Sequence, residues 1–184
     1  MSKKESKLRI IPLGGLGEVG KNMMAYEYDG RILVVDAGLM FPENDMLGID
    51  YIIPDFQYLR DHADRVEGII ITHGHEDHIG AVRHLLSEVP VPVYATPLTR
   101  GLIEVKLARN GLAKEAVLHT IQAGEKVQIG PFQVETFHVC HSIPDAIGLG
   151  ITTPAGLIVH SGDYKFDHTP VDNWPTDFAK LAEF

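Results

Sequence analysis

The spacing of apolar residues predicts strands and helices in alternation through the first half of the chain. Apolar side chains dominate or alternate over Leu8 to Leu13, Met23 to Tyr28 and Arg31 to Val35, as is typical of β-strands. The second and third of these segments are separated by Asp29-Gly30, a dipeptide that favours a tight hairpin turn. We therefore predict three strands here, the last two of which form a hairpin.

Helical spacing follows in three segments. Pro54 to Asp64 is predicted to be a short helix, and Ile79 to Val89 a second one whose apolar residues share one face. After a strand over Val91 to Ala95, the third helix is expected to start with Thr96 as N-cap and to end before Gly111. The stripe of this helix that faces the core is predicted to consist of Leu98, Leu102 and Val105.

The second half is predicted to be mostly β-structure. Strand-forming residues dominate from Ala116 to His160, with glycines marking the turns, and Trp174 to Phe184 looks like the start of a further element. This order indicates an α+β fold in which sheets are covered by helices, in one domain over residues 1–184.

The composition restricts the broad class of protein. Of the 184 residues, 45% are hydrophobic and 22% charged, which is ordinary for a globular domain. No apolar run approaches the roughly 20 residues that cross a membrane, and Met1 to Arg9 lacks a signal-peptide core. The single cysteine, Cys140, cannot form an internal disulfide, so a cytoplasmic location is expected. The net charge of −9 argues against nucleic-acid binding, although bound cations would raise the potential locally.

The most informative segment is Thr-His-Gly-His-Glu-Asp-His at positions 72 to 78. It follows the apolar run Gly68 to Ile71, so a strand would deliver its side chains into a loop at a sheet edge. Imidazole nitrogens and a carboxylate oxygen suit zinc or a similar divalent ion. An isolated histidine is usually an ordinary, partly buried side chain, but four potential ligands within six positions predict a metal site. They are His73, His75, Asp77 and His78.

Further ligands would come from distant strand ends. His141 follows a strand predicted from Phe132 to Val139, and Asp163 follows an apolar run that ends at Ser161-Gly162. Two neighbouring ions can share a hydroxide that attacks a substrate. Asp36 could orient a ligating histidine from behind or simply be a turn residue at a strand end, and both interpretations stay open. The full set of ligands would be His73, His75 and His141 for one ion, Asp77 and His78 for the other, and Asp163 between them.

One motif is interpreted as a decoy. Gly15-Leu16-Gly17-Glu18-Val19-Gly20 fits the G-x-G-x-x-G pattern of dinucleotide-binding loops. Such a site needs a helix directly after the glycines, whereas a strand over Met23 to Tyr28 is predicted here. We therefore assign no dinucleotide cofactor and interpret the glycines as a turn close to the metal site.

Together these residues resemble a known family. His-x-His-x-Asp-His with His141 and Asp163 is similar to the metallo-β-lactamase superfamily, whose fold is an αββα sandwich with a dinuclear site between the sheets. Over nearly the whole chain, further segments resemble the bacterial ribonuclease J family of the β-CASP group. They are Leu13 to Asn22, Phe41 to Glu43, Leu47 to Asp55, His141 to Asp145 and Ser161 to Asp167.

The resemblance implies a zinc-dependent ribonuclease with 5′-to-3′ exonuclease and endonuclease activity, acting in messenger RNA decay and ribosomal RNA maturation. By position, the two zinc ions would take the ligands named above, and Asp77 would also shuttle a proton. The resemblance further implies a calcium ion near Gly48 and Asp50, where oxygen ligands would suit a hard cation. Members continue into β-CASP and C-terminal domains and form homo-oligomers, so this chain is expected to be the N-terminal part of such a protein.

Two rival functions stay open from the sequence. Another hydrolase on the same fold would use the same ions on thioesters or lactams and would differ in its pocket. A non-catalytic module would instead fold and dock onto a partner. Substrate assays separate the two enzymes, and metal content separates both from the binding module.

Overall fold

A computed structural model describes residues 7–184 of the chain. Residues 1–6, which make up most of the segment considered above as a signal peptide, lie outside the described residues. Within 7–184 the chain forms two β-sheets packed face to face, with helices on both outer faces. This is the layer order expected of an αββα sandwich.

The first sheet has six strands that lie side by side in sequence order. They are β1 (Leu8–Gly14), β2 (Met23–Tyr28), β3 (Arg31–Val35), β4 (Val66–Ile70), β5 (Val93–Ala95) and β6 (Leu118–Thr120). The first three pair antiparallel, and β4, β5 and β6 continue parallel to β3. The predicted hairpin is present, because Asp29 and Gly30 both have positive φ, 49° and 75°, as a two-residue turn of this kind requires.

The second sheet is antiparallel and has four strands in the order β10-β9-β8-β7. They are β7 (Lys126–Ile129), β8 (Phe132–His138), β9 (Ile147–Thr153) and β10 (Gly156–His160). Alternate residues of this sheet meet the first sheet in a shared apolar layer, with Leu33 and Ile70 on one side and Phe132 and Leu149 on the other. The predicted β-rich second half is therefore correct in type and extent.

Among residues 7–184, five α-helices cover the outer faces. They are α1 (Gln57–Asp61), α2 (Glu76–Ile79), α3 (Val82–Glu88), α4 (Pro97–Arg109) and α5 (Phe178–Glu183). The first four pack on the first sheet and α5 on the second, where Leu181 and Phe184 contact Phe137. The side chain of Asp177 caps α5 by accepting from the Lys180 N–H at 2.9 Å. The predicted element after Trp174 is thus a short helix.

Two predicted helices have different bounds in the structure. The helix predicted over Pro54 to Asp64 starts only at Gln57, whose N–H donates to the Asp55 carboxylate at 2.8 Å, and a 3₁₀ turn follows its end. The helix predicted over Ile79 to Val89 is divided between α2 and α3. Its interruption coincides with Ala81, whose N–H donates to Ala37 O at 2.8 Å at the end of β3.

The predicted core stripe of α4 is wrong. Leu98, Leu102 and Val105 are 39%, 38% and 53% exposed, whereas Ile103 and Leu107 are buried. The helix presents this second pair to the sheet and turns the predicted stripe outward. Leu102 instead packs against the 73–78 loop, since a Cβ at Gly74 would come within 2.6 Å of its Cδ1.

Candidate metal centre

The ends of three strands deliver the candidate ligands to one edge of the sandwich. The loop after β4 carries His73, the segment after β8 carries His141, and the turn after β10 carries Asp163. The two sheets are tied together at this edge by a hydrogen bond from Ile147 N–H to Thr72 O at 3.0 Å. Rigid strands therefore support side chains that are up to ninety positions apart, from 73 to 163.

Three imidazoles form the first cluster. His75 Nδ1 lies 3.1 Å from His73 Nε2 and 3.1 Å from His141 Nε2, and one ring nitrogen from each residue lies within 4.8 Å of the other two. Such a set of converging nitrogen lone pairs suits a divalent ion of the zinc type. The structure thus brings together the three residues that were predicted to share one ion, and their binding of an ion stays a prediction.

The second cluster shares His73 with the first and adds His78 and Asp163. His78 Nε2 lies 3.4 Å from Asp163 Oδ2, and the same carboxylate oxygen is 3.9 Å from His141 Nε2. Asp163 belongs to the second cluster and also approaches His141 of the first, and its role as a bridging ligand stays a prediction.

Asp77 lies at the margin of the second cluster. Its Oδ2 is 3.5 Å from His78 Nε2, and neither three-ligand group within residues 7–184 includes it. The contact closest to this carboxylate is the Asn22 side chain, whose Nδ2 donates to Oδ2 at 3.2 Å. The metal-ligand role of Asp77 stays a prediction, and Asn22 is a site residue that spacing arguments missed.

Asp36 fixes the orientation of His78 from behind. Its carboxylate accepts from His78 Nδ1 at 2.8 Å, from Thr72 N–H at 2.8 Å and from Thr72 Oγ1 at 2.9 Å, and the residue is buried. It also has a φ of 62° at the end of β3, a left-handed conformation that Asp tolerates better than most residues. Both interpretations left open for Asp36 therefore describe it, since it is a strand-end turn residue and a histidine partner.

The electrostatics of the two central imidazoles differ in sign. Burial, reinforced by His78, lowers the pKa of His73 to about 3. Burial also acts to lower the pKa of His78, but the Asp36 and Asp163 carboxylates outweigh it and raise this pKa to about 10. The hydrogen bond with His78 lowers the pKa of Asp163 to about 2. Opposite shifts in adjacent titratable groups are common at functional sites.

Other residues named from the sequence lie outside both clusters. Gly48 and Asp50 are exposed, and the part of the chain that the structure describes brings no third acidic or imidazole ligand to them, so the calcium site stays a prediction. Cys140 is buried, with its Sγ 3.3 Å from Trp174 O. After the Gly15 to Gly20 segment the chain enters β2, so the helix that a dinucleotide site requires is replaced by a strand.

The comparison with protein families matches this geometry. The sequence profile described as "Metallo-beta-lactamase superfamily" matches residues 16–181, which include all six candidate zinc ligands. The chain belongs to this superfamily. The metallo-β-lactamase fold predicted from the sequence is therefore confirmed, and no helix among residues 7–184 combines the length and apolar character needed to cross a membrane.

Within the metallo-β-lactamase superfamily, the chain matches proteins named ribonuclease J. It is 47% identical over 181 residues to Ribonuclease J of Helicobacter pylori (strain ATCC 700392 / 26695), covering 98% of this chain and 26% of the relative. It is 47% identical over 184 residues to Ribonuclease J2 of Bacillus subtilis (strain 168), covering 100% and 33%. The resemblance stated from the motifs is confirmed, and the chain spans about a quarter to a third of the length of these curated relatives.

A solved structure agrees on the fold. The metallo-beta-lactamase fold protein YhfI from Bacillus subtilis superposes with a TM-score of 0.64, at 15% identity, over 88% of this chain and 64% of that one. At this identity the likeness concerns the fold alone.

Proposed function

We propose that the chain carries the dinuclear zinc centre of a ribonuclease that hydrolyses RNA phosphodiester bonds. The observation that carries this proposal is the meeting of His141 and Asp163 with the 73–78 loop, in a chain 47% identical to relatives named ribonuclease J. Two ligand clusters that share one residue and lie beside one carboxylate are the arrangement that a two-metal hydrolase needs.

The chemistry of the donors fits zinc. The first cluster offers three imidazole nitrogens, and the second offers two imidazoles with a carboxylate oxygen. Imidazole suits zinc and other late transition ions, whereas magnesium and calcium prefer sets made of oxygen alone. We propose that His73, His75 and His141 hold one ion, that His78 and Asp77 hold the other, and that Asp163 bridges them. When bound, the ions would supply a water of lowered pKa and stabilise negative charge on the phosphate.

Protein groups around the clusters would orient the ligands and transfer protons. Asp36 accepts a hydrogen bond from His78 Nδ1, so that Nε2 is the ring nitrogen directed at the cleft. The Asp77 carboxylate is 34% exposed and lies 3.5 Å from that Nε2. We propose that this carboxylate accepts the proton of the attacking water and returns it to the leaving 3′ oxygen.

Two clefts border the clusters. One, of about 480 Å³, is lined by Asn22, His78 and Asp163, and the other, of about 350 Å³, by His141 and Lys165. Two clefts beside one reacting centre would suit a chain-like substrate. A small closed pocket would suit a lactam or thioester better.

The finer assignments are part of the same proposal. From the likeness to ribonuclease J we propose 5′-to-3′ exonuclease and endonuclease action in messenger RNA decay and ribosomal RNA maturation, in the cytoplasm, by a protein that forms homo-oligomers. Asp163→Asn would remove the charge between the clusters at nearly constant size.

The test is a substrate comparison with zinc- or manganese-supplemented protein. Single-stranded RNA carrying a 5′ monophosphate, an acyl thioester and a lactam are offered at equal concentration, with Asp163→Asn as the matched inactive variant. The proposal predicts cleavage of the RNA alone, lost in the variant. Turnover of the thioester or lactam with intact RNA would assign the chain to the rival hydrolases.

A further inference from the structure

The side chain of Asn22 lies between two of the candidate ligands of the second ion. Its Nδ2 is 3.2 Å from Asp77 Oδ2 and 3.1 Å from His78 Nε2. Within residues 7–184, it is the one side chain that makes a hydrogen bond to the Asp77 carboxylate. Asn22 directly precedes β2 and follows the glycine-rich loop, which was predicted from the sequence to be only a turn.

Two backbone hydrogen bonds fix the position of Asn22. The Asn22 N–H donates to Asp77 O at 3.0 Å, and the Gly38 N–H donates to Asn22 O at 3.0 Å. Gly38 has no room for a side chain, since a Cβ there would lie 1.5 Å from Asp77 O. The segments that carry Asn22, Gly38 and Asp77 are thereby joined by backbone hydrogen bonds.

The glycine-rich loop leaves space for the amide. Gly15 has a φ of 84°, and a Cβ at this position would lie 2.6 Å from Asn22 Oδ1. The glycine is therefore required both by its left-handed backbone and by the close approach of the Asn22 side chain. Gly15 therefore restricts the amide from one side, and Asp77 holds it from the other.

The hydrogen-bonding capacity of the amide matches Asp77. A side-chain NH₂ group only donates, and the Asp77 carboxylate accepts from it at 3.2 Å. The Nε2 atom of His78 lies 3.1 Å from the same Nδ2, but it has no free lone pair for Asn22 when it carries a proton or binds a metal ion. The Asn22 amide therefore acts on the carboxylate, next to the imidazole that shares the second metal position.

We propose that Asn22 is a positioning residue that holds the Asp77 carboxylate beside the His78 imidazole at the second metal position. The inference rests on the proposed dinuclear centre and adds to it the group that aligns one half. Loss of an outer partner of this kind typically weakens metal binding about 10- to 100-fold. The first position has its own ligands in His75 and His141 and should keep its affinity.

The test is a zinc titration of the 184-residue chain by equilibrium dialysis. Asn22→Ala is compared with the parent and with Asn110→Ala, whose amide donates to Lys106 O at 2.8 Å at the end of α4. We expect Asn22→Ala to bind the second zinc about 10- to 100-fold more weakly, with the first unchanged and Asn110→Ala like the parent. Equal binding of both ions by Asn22→Ala and the parent would overturn the inference.

A metal-free measurement separates this inference from the dinuclear proposal. In the parent chain without metal, exchange of the Asn22 side-chain amide hydrogens with solvent should be slower than that of Asn110. If the parent takes up a single zinc, the dinuclear proposal fails, and the exchange rates decide the role of Asn22. Slow exchange at Asn22 would support its role as a positioning residue, and exchange as fast as at Asn110 would overturn that role.

Discussion

His73 and His78 are neighbouring imidazoles with ring centroids 4.0 Å apart, yet they differ in charge. His73 is buried among other imidazoles, which lowers its pKa to about 3, so it is neutral at pH 7. His78 is equally buried, but two carboxylates raise its pKa to about 10, so without metal it is protonated. The difference shows that the ligand motif alone does not set the charge of its members, because residues far along the chain do.

The opposite charges of His73 and His78 affect metal binding differently. An imidazole must lose its second proton to bind a metal ion, so binding at His78 has to release a proton whereas binding at His73 does not. The acids that raise the pKa of His78 also attract the ion that replaces its proton. Metal binding at the second position is therefore expected to depend more steeply on pH than binding at His73.

The largest effect is expected from His73→Ala, because His73 belongs to both clusters. Apparent zinc-binding energies of roughly 10–16 kcal/mol are shared by about four ligands, or about 2.5–4 kcal/mol each, so affinity should fall about 100- to 1000-fold. In dialysis the zinc equivalent proposed to bind His73, His75 and His141 should weaken most. Unchanged binding of that equivalent would contradict the assignment of His73 to it.

A large stability effect is expected from Asp36→Asn, which leaves the buried His78 without its charged partner. Breaking a buried pair in this way costs about 3–5 kcal/mol. Urea unfolding of the metal-free chain measures it, with Asp61→Asn on the exposed surface of α1 as control. A loss as small as that of the control would mean that His78 is neutral in the folded chain.

The pH dependence of stability should show two limbs. The raised pKa of His78 gives stability that is complete below pH 6.5 and is lost as the pH rises through about 10. The lowered pKa of His73 works in the other direction, so stability falls as the pH drops from 6.5 toward about 3. Each limb has a slope of at most about 1.4 kcal/mol per pH unit. His78→Gln should remove the alkaline limb and also weaken the acid limb, because His78 contributes to the lowered pKa of His73. Persistence of the alkaline limb in that variant would contradict the assignment.

The smallest effect is expected from Glu76→Gln, although Glu76 stands inside the ligand motif. Its carboxylate is 46% exposed and pairs with Lys106 at 2.6 Å on the surface. Surface pairs of this kind contribute at most about 1 kcal/mol. Urea unfolding and zinc titration should both be nearly unchanged. A loss of zinc affinity would show that Glu76 takes part in metal binding, which its surface pairing with Lys106 does not predict.

Much of the site was predictable because its ligands lie at strand ends. The apolar runs before Thr72, His141 and Asp163 identified the strands, and strand ends that meet at one sheet edge bring their side chains together. Which face of a helix packs against the sheet was harder to predict from the sequence. On α4 both Leu102 and Ile103 are apolar, and only contact with the sheet decides that Ile103 is the buried one.

The role of Asn22 could not be derived from spacing. It is 55 positions from Asp77, and an asparagine after a glycine-rich loop carries no chemical signature of its own. Its position follows from backbone hydrogen bonds between three segments, which no periodicity encodes. The charge of His78 was inaccessible for the same reason, since it depends on a contact with Asp36 across 42 positions.

The central claim is that two adjacent metal positions are formed by residues from three strand ends. A crystal structure of the zinc-soaked chain, with anomalous scattering recorded at the zinc edge, tests it most directly. We predict two peaks about 3.5–4 Å apart, one among His73, His75 and His141 and the other beside His78 and Asp163. A single peak away from these residues, or none at saturating zinc, would contradict the account.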